Sequence, residues 1–258
     1  MSKSRHIILW EAPRSRGTAL SFSLYNGLRQ QAGTCQHFDE PFHPMRAKPI
    51  FEKGGLEAVR QYHSKSTVVD NFYAPYVLQK RLASWIYDPN SHVDLDNLGW
   101  IGGFQSVFLL RRPEQIIASY RKAMRQHVKK FKKPEDKIWQ TMHIIGIEPL
   151  YRIFKYVTEE LKTAPIVVDT GDIFANPKKT IPQLTEAMNI PFHPAMLVWD
   201  KVDMEIPPWG AHWYKTLLKS KGLFSQTPKD VALSKKEQHL AAESSVFYEE
   251  LSQYKLSL

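Results

Sequence analysis

Two arginines, a serine, a glycine and a threonine stand together in WEAPRSRGTAL, Trp10 to Leu20, between a short apolar run, HIIL, and an apolar stretch of helical period, ALSFSLYNGL. A strand that turns straight into a helix sets the helix's first unpaired amides, and the positive end of its dipole, beside the turn. Such a place binds anions. Arg14 and Arg16 add charged donors, Ser15 and Thr18 add hydroxyls, and Gly17 lets the backbone come close. The same serine and threonine serve equally as helix caps and the arginines as surface charge, so the string alone leaves both readings open. The lysine-bearing string G-x-x-x-x-G-K-[ST] is absent, and with it the phosphate clamp and magnesium ligand of an NTPase.

A second basic turn follows in VFLLRRPEQIIASYRKA. Arg111 and Arg112 close an apolar run just before Pro113, a first-turn proline for a helix, and the carboxyl ends of strands are where open α/β sheets bind ligands. Ser119 lies two turns into that helix, near enough at about 1.5 Å per residue to overhang the strand end and donate to the same anion as Arg111. Its plain alternative is a hydroxyl on the helix surface.

The elements that must position these turns show as periodicity. HIILW at 6–10, STVVD at 66–70, SVFLL at 106–110 and PIVVD at 165–169 are short, apolar and rich in β-branched residues, as buried strands are. Helical spacing lies between them: Leu20, Leu24 and Leu28; Ile116, Ile117, Tyr120 and Met124; Leu150, Ile153, Phe154 and Val157. This alternation predicts an α/β fold, a parallel sheet flanked by helices in a single domain over 1–258. Gly33 is read as the stop of the first helix, and Ser234 with Glu237 as a capping box for the last. From Ile190 to Lys229, Pro, Trp and Lys gather in an irregular covering segment.

Hydrophobic residues make up 43% of the 258 and charged residues 24%, which excludes a disordered chain, and no apolar run approaches a membrane span of about 18 residues. The apolar part of MSKSRHIILW is too short for a signal peptide. Cys35 is the lone cysteine, which excludes an intrachain disulfide and a multi-cysteine metal site and points to the reducing cytoplasm. The histidines show no repeated ligand spacing, so no metal is expected. A formal charge of +9 favours anionic partners. Its densest run, Arg121 to Lys137, reads as a solvated helix face. With Phe131 its one aromatic, it is poorly suited to stacking on nucleic acid, which is not an expected partner.

Taken together, the two basic turns resemble the sulfotransferases. PRSRGTAL resembles their 5′-phosphosulfate loop, and RRPEQIIAS their 3′-phosphate motif, matched by Arg111, Pro113 and Ser119. HFDEPFHP resembles the Asp-Glu-Pro string of the bacterial branch, and HWYKTLLKSKGLF its Trp-Tyr to Gly-Phe segment. The resemblance implies a P-loop NTPase-like sulfotransferase fold. It implies transfer of a sulfuryl group from 3′-phosphoadenosine-5′-phosphosulfate (PAPS) to a small-molecule hydroxyl or amine, leaving the 3′,5′-bisphosphate nucleotide (PAP). It assigns nucleotide binding to Arg14, Ser15, Arg16, Gly17, Thr18, Ala19, Arg111 and Ser119, with Lys221 and Gly222 at the 3′-phosphate. Arg14 stands where better-known members carry lysine, and a guanidinium stabilises charge rather than donating a proton. Gly17 stands where a hydroxyl residue is usual, and the C-terminal Gly-x-x-Gly-x-x-Lys string is missing. Glu40 of the Asp-Glu-Pro string is the first candidate for general base, with His37 and His43 behind it. Trp209 and Trp213 stack on adenine, wall the acceptor pocket, or simply pack.

Two rivals stay open. A small-molecule kinase would use Asp70 or Asp169, each closing an apolar strand as a magnesium-holding aspartate does, although both also read as strand-end caps. A non-catalytic protein would keep the nucleotide site or lay the basic helix on nucleic acid. The acceptor is not written in the sequence.

Overall fold

Four consecutive residues of β1 (Arg5–Glu11), Ile7 to Trp10, are wholly buried, which requires cover on both faces of the strand. The computed structural model describes residues 4–41, 74–85, 98–127, 145–204, 206, 213–226 and 230–258, the side chains of 85, 100 and 124–127 aside. Among these, β2 (Cys35–Asp39), β3 (Tyr76–Leu82), β4 (Gln105–Leu110) and β5 (Ile166–Asp169) join β1 in one sheet of order β2-β3-β1-β4-β5, parallel at every pairing. The chain therefore adopts the expected class, a parallel α/β sheet flanked by helices.

The two-residue period of the strands sorts the core into two faces. Ile7 and Leu9 pack with Leu20, Leu24 and Leu28 of α1 (Gly17–Ala32), while Ile8 and Trp10 pack with Leu150, Ile153 and Phe154 of α3 (Ile147–Lys155). α2 (Pro113–His127) opens on Pro113, as expected. After β5 come α4 (Thr170–Ala175), α5 (Pro177–Ala187), α6 (Lys215–Leu218) and α7 (Lys235–Ser252). Gly33 ends α1 at φ 74°, and Ser234 with Glu237 forms the capping box of α7. α7 packs on α2 and α3, and Arg121 of α2 reaches Glu237 at 2.7 Å.

β2 and β3 are strands that periodicity did not predict, and STVVD at 66–70 lies outside the described residues. β3 carries Gln79, Lys80 and Arg81 fully buried in mid-sheet, where an apolar pattern is the usual signal. The described parts of the covering segment are largely irregular, as expected, and are tied down by a bridge between Val198 and Gly222. Gly222 is required there, since a Cβ would fall 2.4 Å from the Leu197 carbonyl oxygen. No described helix is long and apolar enough to cross a membrane.

Candidate active site

The carboxyl edge of the sheet collects the charged residues. Glu11 ends β1, Asp39 ends β2 with Glu40 next, Lys80 lies near the end of β3, Arg111 follows β4, and Asp169 ends β5. A cavity of about 1090 Å³ opens here, at the edge where parallel sheets present their ligands. It is lined by Arg14, Arg16, Gly17, Thr18 and Ala19 from the first turn, by Arg111, Ser119 and Tyr120 from the second, and by Glu11, Glu40 and Lys80. Trp199, Trp213, Tyr214 and Gly222 close it from the covering segment.

The first turn is made by backbone that non-glycine residues rarely adopt. Arg14 and Arg16 sit at φ 66° and 65°, left-handed positions that are unfavourable by roughly 1 to 2 kcal/mol each. Arg16 is the N-cap residue of α1 and offers no side-chain cap. Ser15 is wholly buried, does not line the cavity, and its hydroxyl has no hydrogen-bond partner among the described residues. Thr18 instead accepts from Lys80 Nζ at 2.8 Å, so the capping alternative fails for both hydroxyls.

The two basic turns are locked to each other. Arg14 Nε donates to Ser119 Oγ at 3.2 Å, and Arg111 Nη1 donates to the Arg14 carbonyl. Arg14 also lies over the Trp213 ring at 5.4 Å, and Arg16 over Phe174 at 4.9 Å. Burial, then the neighbouring Arg16 and Arg14, brings the Arg111 guanidinium down to about 10, with Asp169 opposing. Burial also lowers Arg14 and Arg16, opposed mainly by Glu11 and Asp169 respectively. Three guanidiniums within a walled cavity, two of them disfavouring the charge on Arg111, are chemically suited to an oxyanion.

Beside them sits a buried cluster that sequence reasoning missed. Lys80 Nζ lies 2.8 Å from Asp39, 2.7 Å from Glu40 and 3.5 Å from Glu11, and its side chain is 1% exposed. Burial alone would depress the ammonium, but Asp39, Glu40, Tyr214 and Glu11 together hold it well above its ordinary value. The Tyr214 hydroxyl donates to Asp39, and burial raises that phenol far above its usual range. Burial would raise Asp39 too, yet Lys80 and Tyr214 hold it below the usual carboxylate value. The cation at the centre of these carboxylates is thus the lysine itself, and among the described residues no group of three or more His, Cys, Asp and Glu could hold a metal.

Glu40, at φ 47°, pairs with Lys80 rather than with a loop arginine and faces the cavity. His37 does not line it: its Nε2 is 2.6 Å from Ser21 Oγ, its ring lies against Tyr25, and burial lowers it to about 4. Lys221 also stands aside, donating to the Asp200 carbonyl at the surface. Asp169 is a helix cap, accepting from Gly171 N at 2.6 Å and from Tyr248. Asp70, His43, Trp209 and residues 128–137 of the basic run lie outside the described residues. For Lys80 no apolar period marked the strand. Glu11, closing an apolar run directly before the turn, was the signal that could have been read.

A family model described as a sulfotransferase domain matches residues 157–253. Two curated proteins of Arabidopsis thaliana are similar over most of the chain. Branched-chain-amino-acid aminotransferase-like protein 2 is 26% identical over 226 residues, covering 84% of this chain, and protein 1 is 24% identical over 230 residues, covering 87%. The chain spans a little over a third of their length, 36% and 38%. Among solved structures, a sulfotransferase domain from the curacin biosynthetic pathway aligns at TM-score 0.49 and 14% identity, over 95% of this chain and 99% of that one. Retinol dehydratase in complex with androsterone and inactive cofactor PAP aligns at 0.47 and 10%, over 99% and 84%. The family that the two basic turns resemble is the family whose model matches a separate, later stretch of the chain, residues 157–253.

Proposed function

We propose that residues 1–258 form one unit that transfers a sulfuryl group from PAPS to a hydroxyl or amine of a small molecule, in a cytoplasmic setting. The observation that carries this reading is the convergence of Arg14, Arg16 and Arg111, from two separate turns, on one cavity of about 1090 Å³. Two linked cationic turns suit a donor with phosphate on two sides of a ribose. Bound, that donor supplies the transferable sulfuryl group. The chain positions and neutralises: the Thr18 amide, with the Gly17 amide that Glu11 holds in this structure, serves the 5′ side, and Arg111 with Ser119 serves the 3′-phosphate. Arg14, steadied by Ser119 and Trp213, stabilises charge on the leaving oxygen in a loose in-line transfer. Glu40 takes the acceptor's proton, with its carboxylate oriented by Lys80.

The test is thermal stabilisation without divalent metal, comparing PAP with AMP. PAP is expected to raise the melting temperature more, because both turns engage it. Equal shifts remove the 3′-site. Arg111→Ala is expected to weaken PAP by about 1.5 to 3 kcal/mol, the scale of a charged hydrogen bond. Unchanged affinity would take Arg111 out of the site.

A further inference from the structure

Glu11 is a carboxylate placed inside a cradle otherwise suited to anions. It is 3% exposed and lines the cavity. Its Oε2 accepts from the Gly17 N–H, the first amide of α1, at 2.8 Å, and its Oε1 lies 3.5 Å from Lys80 Nζ. A Cβ at Gly17 would fall 2.2 Å from Oε2 and 2.4 Å from the carboxyl carbon, so this carboxyl fills the volume that a side chain at 17 would take. An oxyanion held on the same amide beside an ionised Glu11 would set two negative charges together in a poorly solvated place.

We propose that Glu11 is a binding residue of the oxyanion cradle that works in its protonated form: the anion takes the Gly17 amide, one proton from solvent adds to the Glu11 carboxylate, and the new O–H donates to an oxygen of the bound anion. The inference rests on the sulfuryl-transfer reading only for what the anion is, a sulfate or phosphate ester. Every charged group facing Glu11 enters its balance. Lys80 of β3 and Arg14 of the turn favour the carboxylate, Asp39 and Glu40 after β2 oppose it, and Tyr214 is a neutral phenol bonded to Asp39. Arg16 and Arg111 share the cavity, and the cross-strand neighbours Leu82 and Leu109 are apolar. Burial, the largest influence, brings the Glu11 carboxyl up to about 7. A bound anion raises it further, as a second negative charge must. Below that value the proton is already in place. Above it the proton must be taken up, so affinity is level below pH 7 and falls about tenfold per pH unit above.

Calorimetric titration of the intact chain tests this, with sulfate as the first probe because its charge does not change between about pH 6 and pH 8.5, and PAP as the second. Wild-type affinity for sulfate is expected to fall about fivefold from roughly pH 7 to pH 8 and more steeply above, with proton uptake rising from about a half to nearly one, read from the heats in buffers of different ionisation enthalpy. In Glu11→Gln, which keeps the size and a neutral donor, affinity is expected to stay level and to exceed wild type about tenfold at the alkaline end. A slope that survives in Glu11→Gln, or no proton uptake by wild type, overturns the role of Glu11. The proton count needs no variant, so it decides even where the substitution impairs folding. If sulfate shows the slope but PAP binds no better than sulfate, Glu11 stands and the nucleotide reading falls. If PAP binds tightly with the same slope in both proteins, the nucleotide reading stands and Glu11 falls. If neither anion binds, both fall.

Discussion

Lys80→Met is expected to lower the stability of the fold by about 3 to 5 kcal/mol at neutral pH, the scale seen when one partner of a buried ion pair is removed. The side chain is replaced by one of similar length, so little volume is lost. What is lost is the ammonium between Asp39, Glu40 and Glu11, leaving carboxylates that are at most a tenth exposed without their cation. Against a total stability on the order of 5 to 15 kcal/mol, that is a large share. The deficit carries a sign in pH. Without Lys80 the carboxyls titrate higher in the folded chain than in the unfolded one, so the variant regains stability as pH falls and loses it as pH rises. Urea unfolding of both proteins at mildly acidic and mildly alkaline pH checks this. A variant within about 1 kcal/mol of its parent at alkaline pH would show that the lysine is not what holds the acids together.

Arg14→Ala is expected to lower sulfuryl transfer by two or more orders of magnitude while PAP affinity falls far less, because a group that meets charge growing in the transition state matters more for rate than for binding. The structure makes this a clean substitution. Arg111 grips the Arg14 carbonyl and not its side chain, so the link between the two turns survives truncation. The Ser119 contact and the stacking on Trp213 go, together with the pull of Arg14 on Glu11. Single-turnover rates with labelled donor, once an acceptor is found by screening hydroxyl and amine compounds, give the rate. Transfer at the parental rate would remove Arg14 from the chemistry. Retained PAP binding with no transfer to any acceptor by the parent itself would favour the non-catalytic reading.

Three of the five described strands were legible because burial on both faces leaves an unbroken apolar run, as in HIILW, SVFLL and PIVVD. β3 was not legible, since YVLQKRL holds three polar side chains that reading by hydrophobicity assigns to the surface. Lys80 is buried by carboxylates 40 and more residues away, partners that no window of sequence contains, while Arg81 donates to Gln79 two residues before it. The same reason divides the cavity lining. Arg14, Arg16, Arg111 and Ser119, which line the cavity, stood out as candidates because each lies in a short string with its own chemistry. Glu11 stood inside a quoted string and went unremarked, because its meaning comes from Gly17 folding back onto it. His37 was a reserve base on residue type alone, and type does not report that its ring faces Ser21 and Tyr25.

The left-handed backbone at Arg14 and Arg16 sets two demands against each other. Glycine takes that conformation without penalty, so each position would hold its turn more easily with no side chain at all. Selection of this chain for endurance to heat, blind to chemistry, draws both positions toward glycine, and each gain in melting temperature strips a guanidinium from the cavity. A hardened descendant would keep the sheet, the helices and the shape of the turn, and arrive with backbone amides there but no guanidinium to meet a charge.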